Sequence, residues 1–72
     1  MIDSKMILAW NEVEHDLYEE NGFVFGVELD LFNGYKNYYC KIVEDGKEYY
    51  QYLHGDVFEA AEQFNAIVKK EN

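Results

Sequence analysis

Apolar residues in the first third of the chain recur every three to four positions. Met6, Trp10, Val13 and Leu17 fall at i, i+4, i+7 and i+11, with Ala9 widening the stripe, and this period predicts a helix from about Asp3 to Glu20. Asp3 or Ser4 can cap its start, and Asn21-Gly22 supplies a left-handed stop. From Phe23 to Phe32 the period becomes two: Phe23, Phe25, Val27, Leu29 and Leu31 alternate with Val24, Gly26, Glu28, Asp30 and Phe32, predicting a strand with one buried face. Asn33-Gly34 is a hairpin signal, because both residues tolerate positive φ. A second strand is expected from Tyr35 to about Glu44, a tight turn at Asp45-Gly46, and a third strand from Lys47 to Leu53. Asp56, with Glu59 three residues later, opens a last helix from Val57 to about Lys70, which buries Val57, Ala60, Ala61, Phe64, Ile67 and Val68. The expected fold is α+β in the order α-β-β-β-α, a three-stranded antiparallel meander with both helices on one face.

Two-residue turns at both hairpins fix a register. Leu29 then faces Tyr38, Val27 faces Cys40 and Phe25 faces Ile42; Ile42 faces Tyr49, Cys40 faces Gln51 and Tyr38 faces Leu53. Directly opposed residues share a face, so Phe25, Val27, Leu29, Tyr38, Cys40, Ile42, Tyr49 and Leu53 are expected inside. The other face carries Val24, Glu28, Asp30, Phe32, Tyr35, Asn37, Tyr39, Lys41, Val43, Glu48, Tyr50 and Tyr52, with no further element to cover it.

Composition narrows the function classes. Seventy-two residues make one domain, near the lower limit for a self-sufficient core, and 18% aromatic residues argue for a folded chain. Fifteen acids against six lysines and no arginine leave a net charge of −9, which disfavours nucleic acid and anionic lipid and favours basic partners. A single cysteine excludes an internal disulfide, which fits a reducing compartment. The start Met1-Ile2-Asp3 lacks a basic region and apolar stretch, and no run reaches the length of a membrane span, so a cytoplasmic protein is expected.

Two constellations stand out, each with a plainer explanation beside it. Phe32, Tyr35, Tyr39, Tyr50 and Tyr52 form an expected aromatic surface rimmed by acids, suited to an interface because tyrosine offers stiff area with a polar tip. Tyrosine also simply favours half-exposed strands. Glu12, Asp16, Glu19 and Glu20 crowd one side of the predicted helix with only Lys5 to offset them; acids on adjacent turns lie about 5–6 Å apart, a spacing comparable to nucleic-acid phosphates. The alternative is a solvated face. Gly26 marks a bulge or close backbone approach, or leaves room for Trp10. Glu12-x-x-His15 is half of a two-metal helix motif without its second copy, Cys40 is expected inward and inert, and Ser4 serves better as a cap than as a nucleophile. No catalytic group, cofactor or metal is expected.

The α-β-β-β-α order, the Gly46-Lys47 turn and the helix segment Asp56-Val57-Phe58-Glu59-Ala60-Ala61-Glu62 resemble the double-stranded-RNA-binding domain. That family binds RNA through lysines at the start of this helix, where this chain has Asp56, Glu59 and Glu62, so the resemblance extends to the fold and departs from RNA binding. In size, charge and topology the chain also resembles small acidic phage-encoded inhibitors, including anti-CRISPR proteins and other nucleic-acid mimics. Glu44-Asp45-Gly46-Lys47-Glu48-Tyr49-Tyr50-Gln51-Tyr52 is similar to a strand of the phage inhibitors of uracil-DNA glycosylase. The resemblance implies a protein that occupies the basic nucleic-acid channel of a host enzyme.

The residues expected to meet such a partner are Glu12, Asp16, Glu19, Glu20, Glu28, Asp30, Tyr35, Tyr39, Tyr50 and Tyr52. The alternative is a homodimeric structural or accessory domain that hides its tyrosine face against a second copy.

Overall fold

The computed structural model describes residues 1–11 and 15–71. It contains α1 (Ser4–Ala9), β1 (Asp16–Glu20), β2 (Phe23–Leu29), β3 (Lys36–Glu44), β4 (Lys47–Tyr52) and α2 (Val57–Glu71). The class is α+β, and the antiparallel sheet runs in the order β1-β2-β3-β4. It has four strands, not the three expected, and the additional strand comes out of the predicted first helix.

That helix ends after six residues. Asp3 caps it by accepting from Met6 N at 2.9 Å, and Trp10 leaves it in an extended conformation, φ −76° and ψ 143°. Six residues cannot hold a helix alone. Here tertiary contacts hold it: Ile2 and Ile7 are buried, the Trp10 ring lies 5.7 Å from Phe25, and the Asn65 side chain exchanges two hydrogen bonds with the Ile2 backbone, at 2.9 and 2.8 Å. A helix running on to Glu20 would have left its acids with only Lys5 to offset them. As β1, Asp16 lies 3.1 Å from Lys41 and Glu20 lies 2.6 Å from the N-terminal ammonium. Asn21-Gly22, expected as a helix stop, is instead a two-residue hairpin turn between Glu20 and Phe23, with φ of 54° and 85°. Leu17 is the extra residue of a bulge between the pairs Asp16↔Gly26 and Tyr18↔Phe25, so Leu17 and Tyr18 both pack against the core.

The first expected register also needs correction. Asp30 N donates to Tyr35 O and Gly34 N to Asp30 O, both at 2.8 Å, closing a four-residue loop over Leu31–Gly34. Val27 therefore pairs with Tyr38 and Phe25 with Cys40, two residues away from the expected partners. A shift of two preserves which face each side chain takes. The second hairpin, Asp45-Gly46, pairs Ile42 with Tyr49 and Cys40 with Gln51 as expected.

Phe25 lies at the centre of the core. Its ring stacks on Tyr38 (5.8 Å, 10°) and meets Phe64 edge-on (5.5 Å, 70°), and Phe64 in turn meets Tyr18 at 5.9 Å. Ala60 and Ala61 bring α2 close to the sheet, and Ile7 of α1 joins the same cluster as Val27, Cys40 and Leu53. Leu29 and Tyr49, expected inside, lie beyond this cover and are exposed. Asp56 and Glu59 form a reciprocal capping box at the start of α2 (2.9 and 3.4 Å). Among the described residues no helix is long and apolar enough to cross a membrane.

Candidate interaction surface on the outer sheet face

The strand registers place Asp16 and Glu19 of β1, Gly26 and Glu28 of β2, Tyr39 and Lys41 of β3, and Glu48, Tyr50 and Tyr52 of β4 on the face turned away from the core cluster. Tyr39 is the pivot of this face. It was expected as part of an exposed aromatic surface, yet it is only 3% exposed. The seal comes from the strands themselves. Gly26 lies directly opposite, and the Tyr39 ring lies so close over it that a Cβ there would stand 2.3 Å from the ring and from the His15 carbonyl. A cross-strand aromatic covering a glycine is a known stabilising pair. Of the alternatives for Gly26 this is the close approach, and the room it leaves goes to Tyr39 and not to Trp10, which packs on Phe25 at the other face. Tyr50 closes another side of the ring edge-on at 5.2 Å.

The Tyr39 hydroxyl proton is shared between Asp16 Oδ1 at 2.8 Å and the His15 carbonyl at 2.9 Å, and the same carbonyl accepts from Val27 N at 2.8 Å. Burial first, and then the hydrogen bond to Asp16, push this hydroxyl well above the ordinary tyrosine range. Burial alone would raise the Asp16 carboxyl, but hydrogen bonds from Tyr39 and Lys41 outweigh it and hold the carboxyl below its usual value. Lys41 lies between Asp16 Oδ2 at 3.1 Å and Glu48 Oε2 at 3.3 Å, with its side chain 12% exposed and its ammonium stabilised first by Asp16. One cation thus serves two carboxylates, and the surplus on this face is negative. Tyr52 donates to Glu28 Oε2 at 3.0 Å, which raises the Tyr52 hydroxyl and orients both side chains.

The structure brings Asp16, Glu19, Glu28, Tyr39, Tyr50 and Tyr52 onto this face and places Glu20, Asp30 and Tyr35 elsewhere. Glu12 lies outside the described residues. Glu19 reaches this face from β1, where its carboxylate accepts from Gly22 N at 2.8 Å. Glu20 opposes Phe23 and points to the core side, accepting from Tyr18 Oη at 2.5 Å and pairing with the N-terminus. The acidic helix face expected for Asp16, Glu19 and Glu20 therefore does not exist. Asp30 and Tyr35 sit at the β2–β3 loop: Asp30 Oδ1 accepts from Phe32 N and Asn33 Oδ1 from Tyr35 N, both at 2.9 Å. These bonds fix a tip on which Leu31, Phe32 and Tyr35 are exposed, Phe32 completely. The expected continuous aromatic surface is thus two patches, the Tyr39-Tyr50-Tyr52 group and this tip. The bridging role of Lys41 and Glu48 was not expected; the signal available in the sequence was their shared outer face, each two residues from a tyrosine of that face.

A groove of about 490 Å³ is lined by Phe23, Ile42, Val43, Gln51 and Ile67 with the carboxylates Glu44 and Glu71, and it contains no serine, cysteine or histidine. Cys40 is buried, and burial raises its thiol. Among the described residues no group of three or more His, Cys, Asp or Glu is placed to hold a metal ion. No protein-family model matches the chain, and comparison with curated proteins and with solved structures gives no match.

Proposed function

We propose that the protein is an acidic binding protein that inhibits a host nucleic-acid-handling protein by occupying its basic nucleic-acid site, and that it acts in the cytoplasm without chemistry of its own. The observation that carries this proposal is the uncovered sheet face. Among the described residues of this face the acids Asp16, Glu19, Glu28 and Glu48 outnumber the cation Lys41, which pairs with Asp16 and Glu48, and the half-exposed rings of Tyr50 and Tyr52 lie beside them. Such a face offers negative charge for steering and stiff aromatic area for anchoring. Asp16 and Glu48 are both held by Lys41, so Glu19 and Glu28 are the carboxylates to reverse. A Glu19→Lys, Glu28→Lys variant is expected to stay folded and to lose salt-sensitive capture of the target from a host lysate. The target's own nucleic-acid binding should return when that variant replaces the natural protein. Capture of the same target at equal strength by the variant would remove the proposal.

A second reading is a homodimer through the same face, and the exposure of Tyr50 and Tyr52 favours it. Sedimentation at micromolar concentration separates the two. A salt-insensitive dimer supports self-association, and a monomer supports a basic partner, because exposed charges are screened within about 8–10 Å at physiological salt.

A further inference from the structure

The two edges of the sheet are not alike. β1 is five residues long, bulged at Leu17 and tied down at both ends, by Tyr39 and Lys41 at Asp16 and by the N-terminus at Glu20. Bulges and tethers of this kind stop an edge from pairing with another chain. β4 has neither. It keeps an unbroken register with β3 from Lys47 to Tyr52, and every one of its residues is exposed. Leu53 N donates to Tyr38 O at 2.8 Å, and antiparallel bonding alternates along a strand. Gln51, Tyr49 and Lys47 therefore turn their backbone groups toward β3, whereas Glu48, Tyr50 and Tyr52 turn theirs outward. These same residues send their side chains onto the outer sheet face.

We propose that β4 is a docking edge for an extended basic segment of the protein partner, which adds antiparallel to it as a fifth strand. This rests on the function proposed above and names the part of the partner that is recognised. Charge selects the occupant. Residues of the added strand opposite Glu48, Tyr50 and Tyr52 lie beside a carboxylate and two exposed aromatic faces, which suit arginine or lysine through ion pairing and cation–π contact. Glu28, fixed by Tyr52, adds a second carboxylate within the same surface. A second copy of this chain would bring another net charge of −9 to the same edge, so self-pairing is opposed and a basic strand is favoured.

The test uses the full chain and three synthetic peptides: acetyl-Thr-Arg-Thr-Arg-Thr-Arg-Thr-amide, the same peptide N-methylated at each arginine, and the same peptide N-methylated at each internal threonine. With the arginines opposite Glu48, Tyr50 and Tyr52, the arginine N–H groups point at β4 and the threonine N–H groups point away. The parent peptide is expected to bind in a salt-sensitive manner and to slow hydrogen exchange at the Glu48, Tyr50 and Tyr52 amides. Methylation of the arginines is expected to weaken binding by about tenfold or more, the loss of backbone hydrogen bonds. Methylation of the threonines should leave binding within about twofold. Equal affinity of all three peptides, with the edge amides unprotected, would overturn the docking edge and leave the acidic-face proposal standing. No salt-sensitive binding by any of them would overturn both. Protection of those amides in the peptide-free protein, together with a dimer in sedimentation, would assign the edge to a second copy and overturn the proposal.

Discussion

Tyr38 and Tyr39 are neighbours in β3, point to opposite faces of the sheet and are both sealed from water, at 5% and 3% exposure. Tyr38 is sealed as core residues ordinarily are, stacked on Phe25 beneath Phe64 and the helices. Tyr39 is sealed with no helix above it among the described residues, by the missing side chain of Gly26, the Tyr50 ring and the His15 backbone that leads into β1. A sheet face can therefore hold a buried tyrosine at its centre and still be left uncovered at its margins. The inner face spends its area on cohesion. On the outer face only the central ring is sealed, and Tyr50 and Tyr52 stay half-exposed at its margin.

The contrast is broken most severely from the inside. Phe64→Ala removes a fully buried ring that contacts Phe25 and Tyr18, and a loss of about 3–5 kcal/mol is expected in urea unfolding. For a domain of this size that is a large share of total stability. Gly26→Ala places a methyl group against the Tyr39 ring and the His15 carbonyl, and about 1–3 kcal/mol is the expected cost. The same change should unseat Tyr39, so spectrophotometric titration should show one tyrosine moving down toward the ordinary range near pH 10.

Tyr39→Phe keeps the ring and removes the hydroxyl, for an expected loss of about 1–2 kcal/mol near neutral pH. Its pH dependence is the sharper readout. A tyrosine whose folded pKa is raised contributes stability that is complete below its unfolded value and is lost as pH rises through the folded one. The Tyr18 hydroxyl, raised first by its hydrogen bond to Glu20 and then by burial, goes up to about 12, and Tyr39 is raised as well. Stability should therefore fall with pH above about 10, and the fall should be shallower in Tyr39→Phe, with the part owed to Tyr18 remaining. Tyr52→Phe, at the open margin, should change stability by less than about 0.5 kcal/mol.

Three Gly-containing dipeptides show what sequence could and could not tell. Asn21-Gly22, Asn33-Gly34 and Asp45-Gly46 all mark chain reversals with glycine at positive φ. Only Asp45-Gly46 turns as expected. At Asn33-Gly34 the Asp30 and Asn33 side chains cap a longer loop, a competition between side-chain and two-residue-turn bonding that local pattern does not settle. The face assignment survived because the resulting shift was even. Asn21-Gly22 looks like a helix stop in sequence because Met6, Trp10, Val13 and Leu17 happen to fit a helical stripe. The bulge at Leu17 hides the alternation of β1, and what draws this segment into the sheet is distant: Lys41, Tyr39 and the N-terminus. The acids of the outer face were legible as acids facing away from the core. Their arrangement around Tyr39 was not, since it depends on a strand that local periodicity conceals.

The most direct measurement is amide chemical-shift mapping of the protein bound to its captured target. The largest changes are expected at Glu28, Glu48, Tyr50 and Tyr52, with α2 little affected. Changes confined to α2, around Phe58 and Glu62, with the outer sheet face silent, would contradict the assignment of that face as the binding surface.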